Sequence, residues 1–597
     1  MIKVSDYIAN FLAKHSDVAN TIFMVSGGGN MHLINGVGKH PDLEYICNHH
    51  EQACTIAAEG YARLHNKIGV AYVTTGPGGT NAISGVYGAW VDSIPTLTIS
   101  GQVKFETTIA SQPKLKLRQL GDQEVNIIDL VKPITKYAVM VDDKNSIRYH
   151  LEKAIYEAKS GRPGPVWLDI PLDIQGSMIN EDELEAFILP KKINYNLKIQ
   201  EVILALNVAK RPVLIIGNGI RLGNAIPELK KLIEQLEIPV VTTISGIDLI
   251  STQHQFFFGR PGILGERAGN FIVQNSDLII VLGTRLNLRI ISFNWELFAR
   301  EAKKIMVDID KNELDKKTFI PDIKIHADIK YFIKSLTNAI RDRLDIREWI
   351  DYCNEIKVNY PVITQSQKSR TDYVSSYYFP ILLSKKLSKN AVIVTGNGIA
   401  YTSTYQTFSV REGDRVFANL GSAAMGYDLP AAIGACVASN RQDIICITGD
   451  GSIQMNIQEL QTIIQNKMPI KIFMYNNNGY LSIRITQTTY FKEHFVGEGP
   501  RSGVSIPDMK KLAEVYGFKV YQIHTNQEAE NKLDKILTED GPVFCEVMLD
   551  PEEEIKPKVA SYKKSDGTMV SKPLEDLSPF LPRAEFLKNM IITPVKD

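Results

Sequence analysis

Two side chains that close apolar runs are the first candidates for chemistry. DIICITGDGS (443–452) ends on Asp450, and PIKIFMYNNNG (469–479) ends on Asn477. The intervening QMNIQELQTIIQNKM has the length of one crossover helix, so adjacent parallel strands would bring the two ends together. A carboxylate and an amide carbonyl are both hard oxygen ligands. Magnesium takes about six oxygens in an octahedron and accepts diphosphate oxygens among them. Asp450, Asn477 and a backbone carbonyl near Gly479 would supply the protein's share, with a diphosphate and a water completing the set. Taken singly, GDG also reads as a helix cap and NNNG as a turn.

Glycine-rich loops recur at the ends of apolar runs: GPGGTN (76–81), GNGIRLGN (217–224), GNG (396–398) and GDGS (449–452). Glycine lets backbone approach a phosphate closely, and the helix that follows favours an anion at its N-terminus. One such loop is only a turn. Four of them point to a phosphorylated cofactor.

The elements that must position these loops alternate along the chain. Residues 21–25, 68–75, 96–102 and 165–171 read as buried parallel strands, with helices over 51–65 and 146–161. The pattern restarts with strands at 211–219, 238–243, 276–284 and 302–310. It restarts again at 391–398, 443–451, 469–477 and 542–549. This predicts an α/β protein of three doubly wound parallel-sheet domains. The expected spans are 1–185, 190–345 and 360–550. A charged stretch around 330–375 reads as linker, and an arm over 551–597 packs over a neighbour.

With 597 residues, the chain is too long for one core. A formal net charge of zero gives no reason to expect a nucleic-acid or anionic-membrane partner. Six scattered cysteines without a CxxC pair argue against a disulfide framework or a zinc site. The N-terminus lacks the apolar core of a signal peptide, and no apolar run is long enough to span a membrane. A cytoplasmic location is expected.

The GDG…NN pair resembles the thiamin-diphosphate motif. HHEQACTIAAEGYAR, TTGPGGTNAISGVYGAWVDSIPTLTISGQV, GRPGPVWLDIP and LGSAAMGYDLPAAIG resemble, in order, the acetolactate synthase branch of that superfamily. The resemblance implies a pyrimidine-binding, a central and a diphosphate-binding domain. It implies active sites shared between subunits of a homodimer or homotetramer, and leaves room for a regulatory subunit. Glu51 falls where the family places the carboxylate beside the aminopyrimidine, and burial there would raise its pKa. Gly28 and Gly29 match the loop over the reacting carbons, and Gln123 a polar residue near the substrate. Asn397, Gly449, Gly451 and Ser452 match diphosphate contacts, and Met425 the residue that bends the cofactor. His49 and His50 read as structural. Arg162, Gly217, Gly219, Thr242, Gly283, Arg285, Arg289, Asp308 and Asp328 align with the family's FAD contacts, although Asn287 stands where the family carries Asp.

The implied activity is decarboxylation of pyruvate and transfer of the two-carbon unit to a ketone acceptor, with a 2-keto acid as the first expectation. The acceptor side departs from the family. Thr486 replaces a Trp, Asp122 a Phe and Leu172 a Lys, and SQPKLKLRQL (111–120) is an added loop. Acetyl transfer to a keto-deoxy nucleotide sugar is therefore the alternative acceptor reading. A non-catalytic nucleotide-binding paralogue and a redox flavoprotein are alternatives of other classes.

Overall fold

A computed structural model describes residues 1–191, 193–563 and 566–595. Three parallel sheets carry the fold. The N-terminal sheet runs, in spatial order, Glu44–Cys47, Val18–Met24, Ile68–Val73, Thr96–Gln102, Val166–Pro171 and Tyr137–Met140. The C-terminal sheet runs Arg415–Phe417, Val392–Thr395, Ile444–Gly449, Ile470–Asn476, Val543–Met548 and Lys519–Ile523. Numbered along the chain, both have the order 2-1-3-4-6-5. The central sheet, Val240–Thr242, Pro212–Ile216, Leu278–Leu282, Lys303–Asp308 and Ile323–His326, has the order 2-1-3-4-5. In each, the chain reverses direction across the sheet between the first and third strands. Ligands of open α/β sheets bind at such points, beyond the strands' carboxyl ends.

Every strand expected from the apolar runs is present. Five further strands complete the sheets: Glu44–Cys47, Tyr137–Met140, Ile323–His326, Arg415–Phe417 and Lys519–Ile523. All five are edge strands, and Tyr137–Met140 and Lys519–Ile523 are largely half-buried. The fully buried strands serve both faces. Ile22 and Met24 pack toward helix Val4–Lys14, while Ala19 and Phe23 pack toward helix Glu51–His65. The crossover after Asp450 is broken into Asp450–Ile453, a 3-10 turn at Gln454–Asn456, and Glu459–Gln465. At the break, buried Asn456 donates Nδ2 to the Gly426 carbonyl at 2.7 Å.

The stretch read as linker is packed. Helix Ile329–Ala339 buries Phe332, Ile333 and Leu336 in the central core. Helix Arg347–Asn359 adds Trp349, whose Nε1 donates to the Pro212 carbonyl at 3.0 Å. The C-terminal tail lies on the central unit of its own chain. Arg267 donates to the Pro579 carbonyl at 2.7 Å, Gln274 to Glu575 at 2.6 Å, and Asn275 to the Asn589 carbonyl at 2.9 Å.

The outer sheets meet through helices Glu51–His65 and Asp428–Ala438, which touch backbone to backbone. A Cβ at Gly60 would lie 2.4 Å from the Ala431 carbonyl oxygen, and one at Gly434 would lie 1.9 Å from that of Ala57. Beside this crossing, ionic groups join all three units. Buried Arg63 pairs with Glu59 at 2.5 Å and with Asp92 at 2.6 Å, and Asp92 accepts from the Leu420 and Gly421 amides at 3.0 and 2.9 Å. Asp248 of the central unit pairs with Arg221 at 2.9 Å and with Arg415 of the C-terminal unit. Burial alone would push the Asp248 carboxyl up, but Arg221 and Arg415 outweigh it and hold it below the ordinary range.

Removing Asp248 strands two arginines. Asp248→Ala is expected to cost about 3–5 kcal/mol of unfolding free energy, read by denaturant titration at neutral pH. Because the folded pKa is depressed, this contribution is present above the unfolded value. It is lost as pH falls through the folded one, so the difference between parent and variant should shrink in acid.

Candidate active site

The C-terminal sheet builds the first cluster. Asp450 follows strand Ile444–Gly449 and is buried. Its Oδ2 accepts from the Asn477 and Gly479 amides at 3.1 and 2.9 Å, and its Oδ1 from the Gly451 amide at 2.7 Å. Burial pushes its pKa up to about 6, against those hydrogen bonds. The Asn477 Oδ1 is buried and accepts no hydrogen bond, and the same holds for the Asn397 Oδ1 in the neighbouring loop. A carboxylate next to an unanswered amide oxygen is a donor set that fits a hard divalent cation. The cation's charge would also favour the ionised carboxylate.

Around this pair the loops are tight. A Cβ at Gly451 would lie 2.2 Å from the Tyr480 ring, and one at Gly396 would lie 2.3 Å from the Asp428 carboxylate. Asn397 donates Nδ2 to the Ala424 carbonyl at 2.5 Å, which ties GNG to the strap carrying Met425. Ser452 Oγ donates to Asp428 at 2.8 Å and accepts from the Gly426 amide at 3.0 Å. The Ser452 hydroxyl thus secures the strap, and any contact it makes with a diphosphate is shared with that role.

The N-terminal sheet builds the second cluster. Glu51 opens its helix and is half-buried, and its Oε2 accepts from Asn81 Nδ2 at 3.0 Å. Gly78 faces the other oxygen, since a Cβ there would lie 3.6 Å from Oε1. The Gly29 amide donates to Thr74 Oγ1 at 3.1 Å, and its carbonyl accepts from Gln175 at 2.7 Å. Gly28 has open space above it. Gln123 adopts a left-handed backbone (φ 61°), and its carbonyl oxygen would lie 2.4 Å from a Cβ at Gly76. Gly28, Gly29, Glu51 and Gln123 are therefore brought to one rim. Of the two histidines, His50 caps the helix, accepting the Gln52 amide on Nδ1 at 3.1 Å, while His49 is exposed.

A buried chain that the sequence did not single out supports this rim. Trp167 Nε1 donates to Ser100 Oγ at 2.8 Å, and Ser100 donates to Asp169 at 2.5 Å. Gln102 donates to Asp169 at 3.1 Å and accepts from Thr75 Oγ1 at 2.6 Å. Thr75 in turn packs under Gly29. Polar residues at alternate positions of two adjacent strands were the only available signal. Among the described residues no hydrogen bond joins the Glu51 rim directly to Asn397, Asp450 or Asn477.

The central sheet's reversal point opens a cavity of about 370 Å³. Gly219, Gly283, Arg285, Arg289, Asp308, Asp328 and Arg162 line it. Gly217 and Thr242, expected with them, do not: Thr242 is buried in its strand, and Gly217 is packed against Thr284, which a Cβ there would approach to 2.5 Å. Gly219 and Gly283 are in backbone contact, since a Cβ at 219 would lie 2.7 Å from the Gly283 Cα. Arg162 is held by Glu313 at 2.9 Å, and burial pushes Asp308 up to about 6. Thr243 and Asn287, neither of them expected as contacts, also line the cavity, and each has a buried oxygen without a partner. Glycine turns, arginines and an acidic strand end suit a nucleotide diphosphate.

Asp169 gives the site a pH signature. Burial pushes its carboxyl up to about 7, against the bonds from Ser100 and Gln102. The folded state then keeps a proton that the unfolded chain has lost. Stability should therefore fall by up to about 1.4 kcal/mol per pH unit as pH rises from about 4 to about 7. Asp169→Asn is expected to flatten this part of the unfolding profile.

Three family profiles match the chain: the N-terminal TPP binding domain of thiamine pyrophosphate enzymes over residues 2–124, the central domain over 199–336, and the C-terminal TPP binding domain over 396–547. The chain is 31% identical over 562 residues to an acetolactate synthase large subunit of Porphyra purpurea, covering 91% of this chain and 92% of that one. It is 31% identical over 555 residues to that of Lactococcus lactis (91% and 92%), and 30% identical over 566 residues to the isozyme 2 large subunit of Escherichia coli (94% and 97%). With its three sheets, its two loop clusters and these matches, the chain belongs to the thiamine pyrophosphate enzyme family, in the branch that holds the acetolactate synthase large subunits.

Proposed function

We propose that the protein is a carboligase dependent on thiamin diphosphate and magnesium, which decarboxylates pyruvate and transfers the two-carbon unit to a ketone acceptor. The observation that carries this reading is the unpartnered Asn477 Oδ1 beside the buried Asp450 carboxylate, where a diphosphate-bound cation answers both. Thiamin diphosphate, when bound, supplies the nucleophilic carbon and the electron sink. Asp450, Asn477 and the Gly479 carbonyl hold the metal, while Asn397, Gly449, Gly451 and Ser452 surround the diphosphate. Met425, on the strap tied to Asn397, would pack against the bound cofactor. Glu51 holds and releases the proton that the pyrimidine needs, with Asn81 fixing one carboxylate oxygen so that the other is free to act. Gly28, Gly29 and Gln123 shape the space over the reacting carbons. The central cavity would hold FAD, with Arg162, Arg285 and Arg289 available to its phosphates and Asp308 to its ribose hydroxyls.

The two clusters stand on different sheets, so a second copy completes each site. The exposed Tyr87 and Trp90 on helix Pro77–Asp92, and Met455 and Ile483 beside the cation loop, suit such a contact. Relatives named as large subunits make a regulatory subunit a further partner to test.

With pyruvate as acceptor the product is 2-acetolactate. The second acceptor reading, a keto-deoxy nucleotide sugar, is favoured by the added loop. Residues 112–120 are all exposed, and among the described residues Lys114, Lys116 and Arg118 form no ion pair. Buried Glu124 ties down the loop's base, accepting from the Ile109 amide and from those of Leu120 and Gly121 at 2.8 and 3.2 Å. The cations therefore stand on an exposed loop whose anchored end, Gly121, is two residues from Gln123, and Thr486 is exposed on helix Leu481–Phe491 without the family's indole.

Incubation with thiamin diphosphate, magnesium and pyruvate, followed by product analysis, is expected to give carbon dioxide with acetolactate or acetoin. Glu51→Gln should still bind cofactor while turnover falls by orders of magnitude, and unchanged turnover would remove Glu51 from its role. Replacing Lys114, Lys116 and Arg118 with Ala should raise the KM for a nucleotide-sugar acceptor, more so at low salt, and leave that for pyruvate unchanged. Equal effects on both would reject the sugar reading.

A further inference from the structure

The loop that bears Asn477 has a backbone that needs holding. Asn478 (φ 60°) and Gly479 (φ 124°) are successive residues in the left-handed region. Such conformations persist only where the surroundings over-determine them. Asp450 secures the amides of Asn477 and Gly479 from inside, as described above. The carbonyls are secured from the other side by one arginine.

We propose that Arg484 and Glu498 form a clamp that positions the oxygen donors of residues 477–479 for a divalent cation, an inference that rests on the cation reading above. Arg484 projects from the first turn of helix Leu481–Phe491 and is buried. Its Nη1 donates to the Asn477 carbonyl at 3.1 Å and to the Pro551 carbonyl at 2.5 Å, and its Nη2 to the Asn478 carbonyl at 2.9 Å. Its Nε donates to Glu498 Oε2 at 2.6 Å. Glu498 is fully buried, takes Arg501 on its other oxygen at 2.9 Å, and has its pKa held low by the two arginines despite burial. Its backbone carbonyl accepts the Tyr480 amide at 2.7 Å and would lie 2.3 Å from a Cβ at Gly479. The clamp thus engages the carbonyls of Asn477 and Asn478. Among the described residues the Asn477 side-chain oxygen is left without a partner, and no hydrogen bond to the Gly479 carbonyl is formed.

The geometry requires a planar fork. Three carbonyls and a carboxylate are reached by one guanidinium, and an ammonium group cannot span them. Arg484 is therefore a positioning residue, acting on the metal through the loop. A residue serving only to dock helix Leu481–Phe491 would show the bond to Glu498 without needing those to Asn477 and Asn478.

The test is Mn²⁺ titration of the full-length protein with saturating thiamin diphosphate, followed by electron paramagnetic resonance, with melting of the metal-free protein measured alongside. Loss of an outer-sphere partner typically weakens metal binding by about 10- to 100-fold. That loss is expected for Arg484→Lys and Arg484→Ala, a smaller one for Glu498→Gln, and partial recovery of Arg484→Ala with added methylguanidinium. Arg484→Lys and Glu498→Gln keep the experiment decisive if Arg484→Ala does not fold. Unchanged Mn²⁺ affinity in the folded variants, with only a lower melting temperature, overturns the clamp. Absence of Mn²⁺ binding by the parent protein overturns the cation reading and the clamp with it.

Discussion

A carboxylate sealed inside a protein must be answered, and the answer given to Asp450 organises the C-terminal unit. Three backbone amides converge on it, two of them from the loop that ends the neighbouring strand. Those bonds tie the ends of two parallel strands into one floor, and they oppose the upward pull of burial on the carboxyl. The tie works because the strands are adjacent: Gly449 pairs in register with Tyr475, so the two loops leave the sheet side by side. Glycine at 451 and 479 is then required by space, since a side chain at either would strike Tyr480 or the Glu498 backbone.

The two outer sheets share one strand order, and each carries its candidate loops at the carboxyl ends of its strands. The symmetry of the fold is not a symmetry of chemistry. One sheet offers a buried carboxylate beside an unpartnered amide oxygen. The other offers a half-buried carboxylate at a helix start, over a buried polar chain from Trp167 to Thr75. Helices Glu51–His65 and Asp428–Ala438 hold the sheets together at glycines, so their separation is fixed by backbone contact and not by adaptable side chains.

The ionic junction extends that fixation to the central unit. Arg63, Asp92, Leu420 and Gly421 line the nucleotide-sized cavity and also carry the links between units. Leu420 and Gly421 lead through Ser422 to Met425. The cavity and the loops around Asp450 are therefore linked by one segment of backbone, although they belong to different sheets.

Much was legible in the amino-acid order because strong local signals carried it. Apolar runs, several of them closed by glycine turns, marked twelve of the strands, and the distance from Asp450 to Asn477 fixed one crossover. Those features depend on the 2.0 and 3.6 residue periods and on turn chemistry, which are local. Edge strands Tyr137–Met140 and Lys519–Ile523 were missed because half-buried positions need little apolar character. Asp169, Arg484 and Glu498 were missed for a different reason: each gains its meaning from partners that only folding brings near. A polar residue in a strand or an arginine in a helix looks solvated until packing buries it, and burial then makes its hydrogen bonds obligatory. The sequence by itself determined the three-sheet α/β architecture and the family, because apolar runs and glycine loops are local signals. Only the tertiary structure decided which groups hold those loops in place, because desolvation is a property of the packed chain and has no signature in residue order.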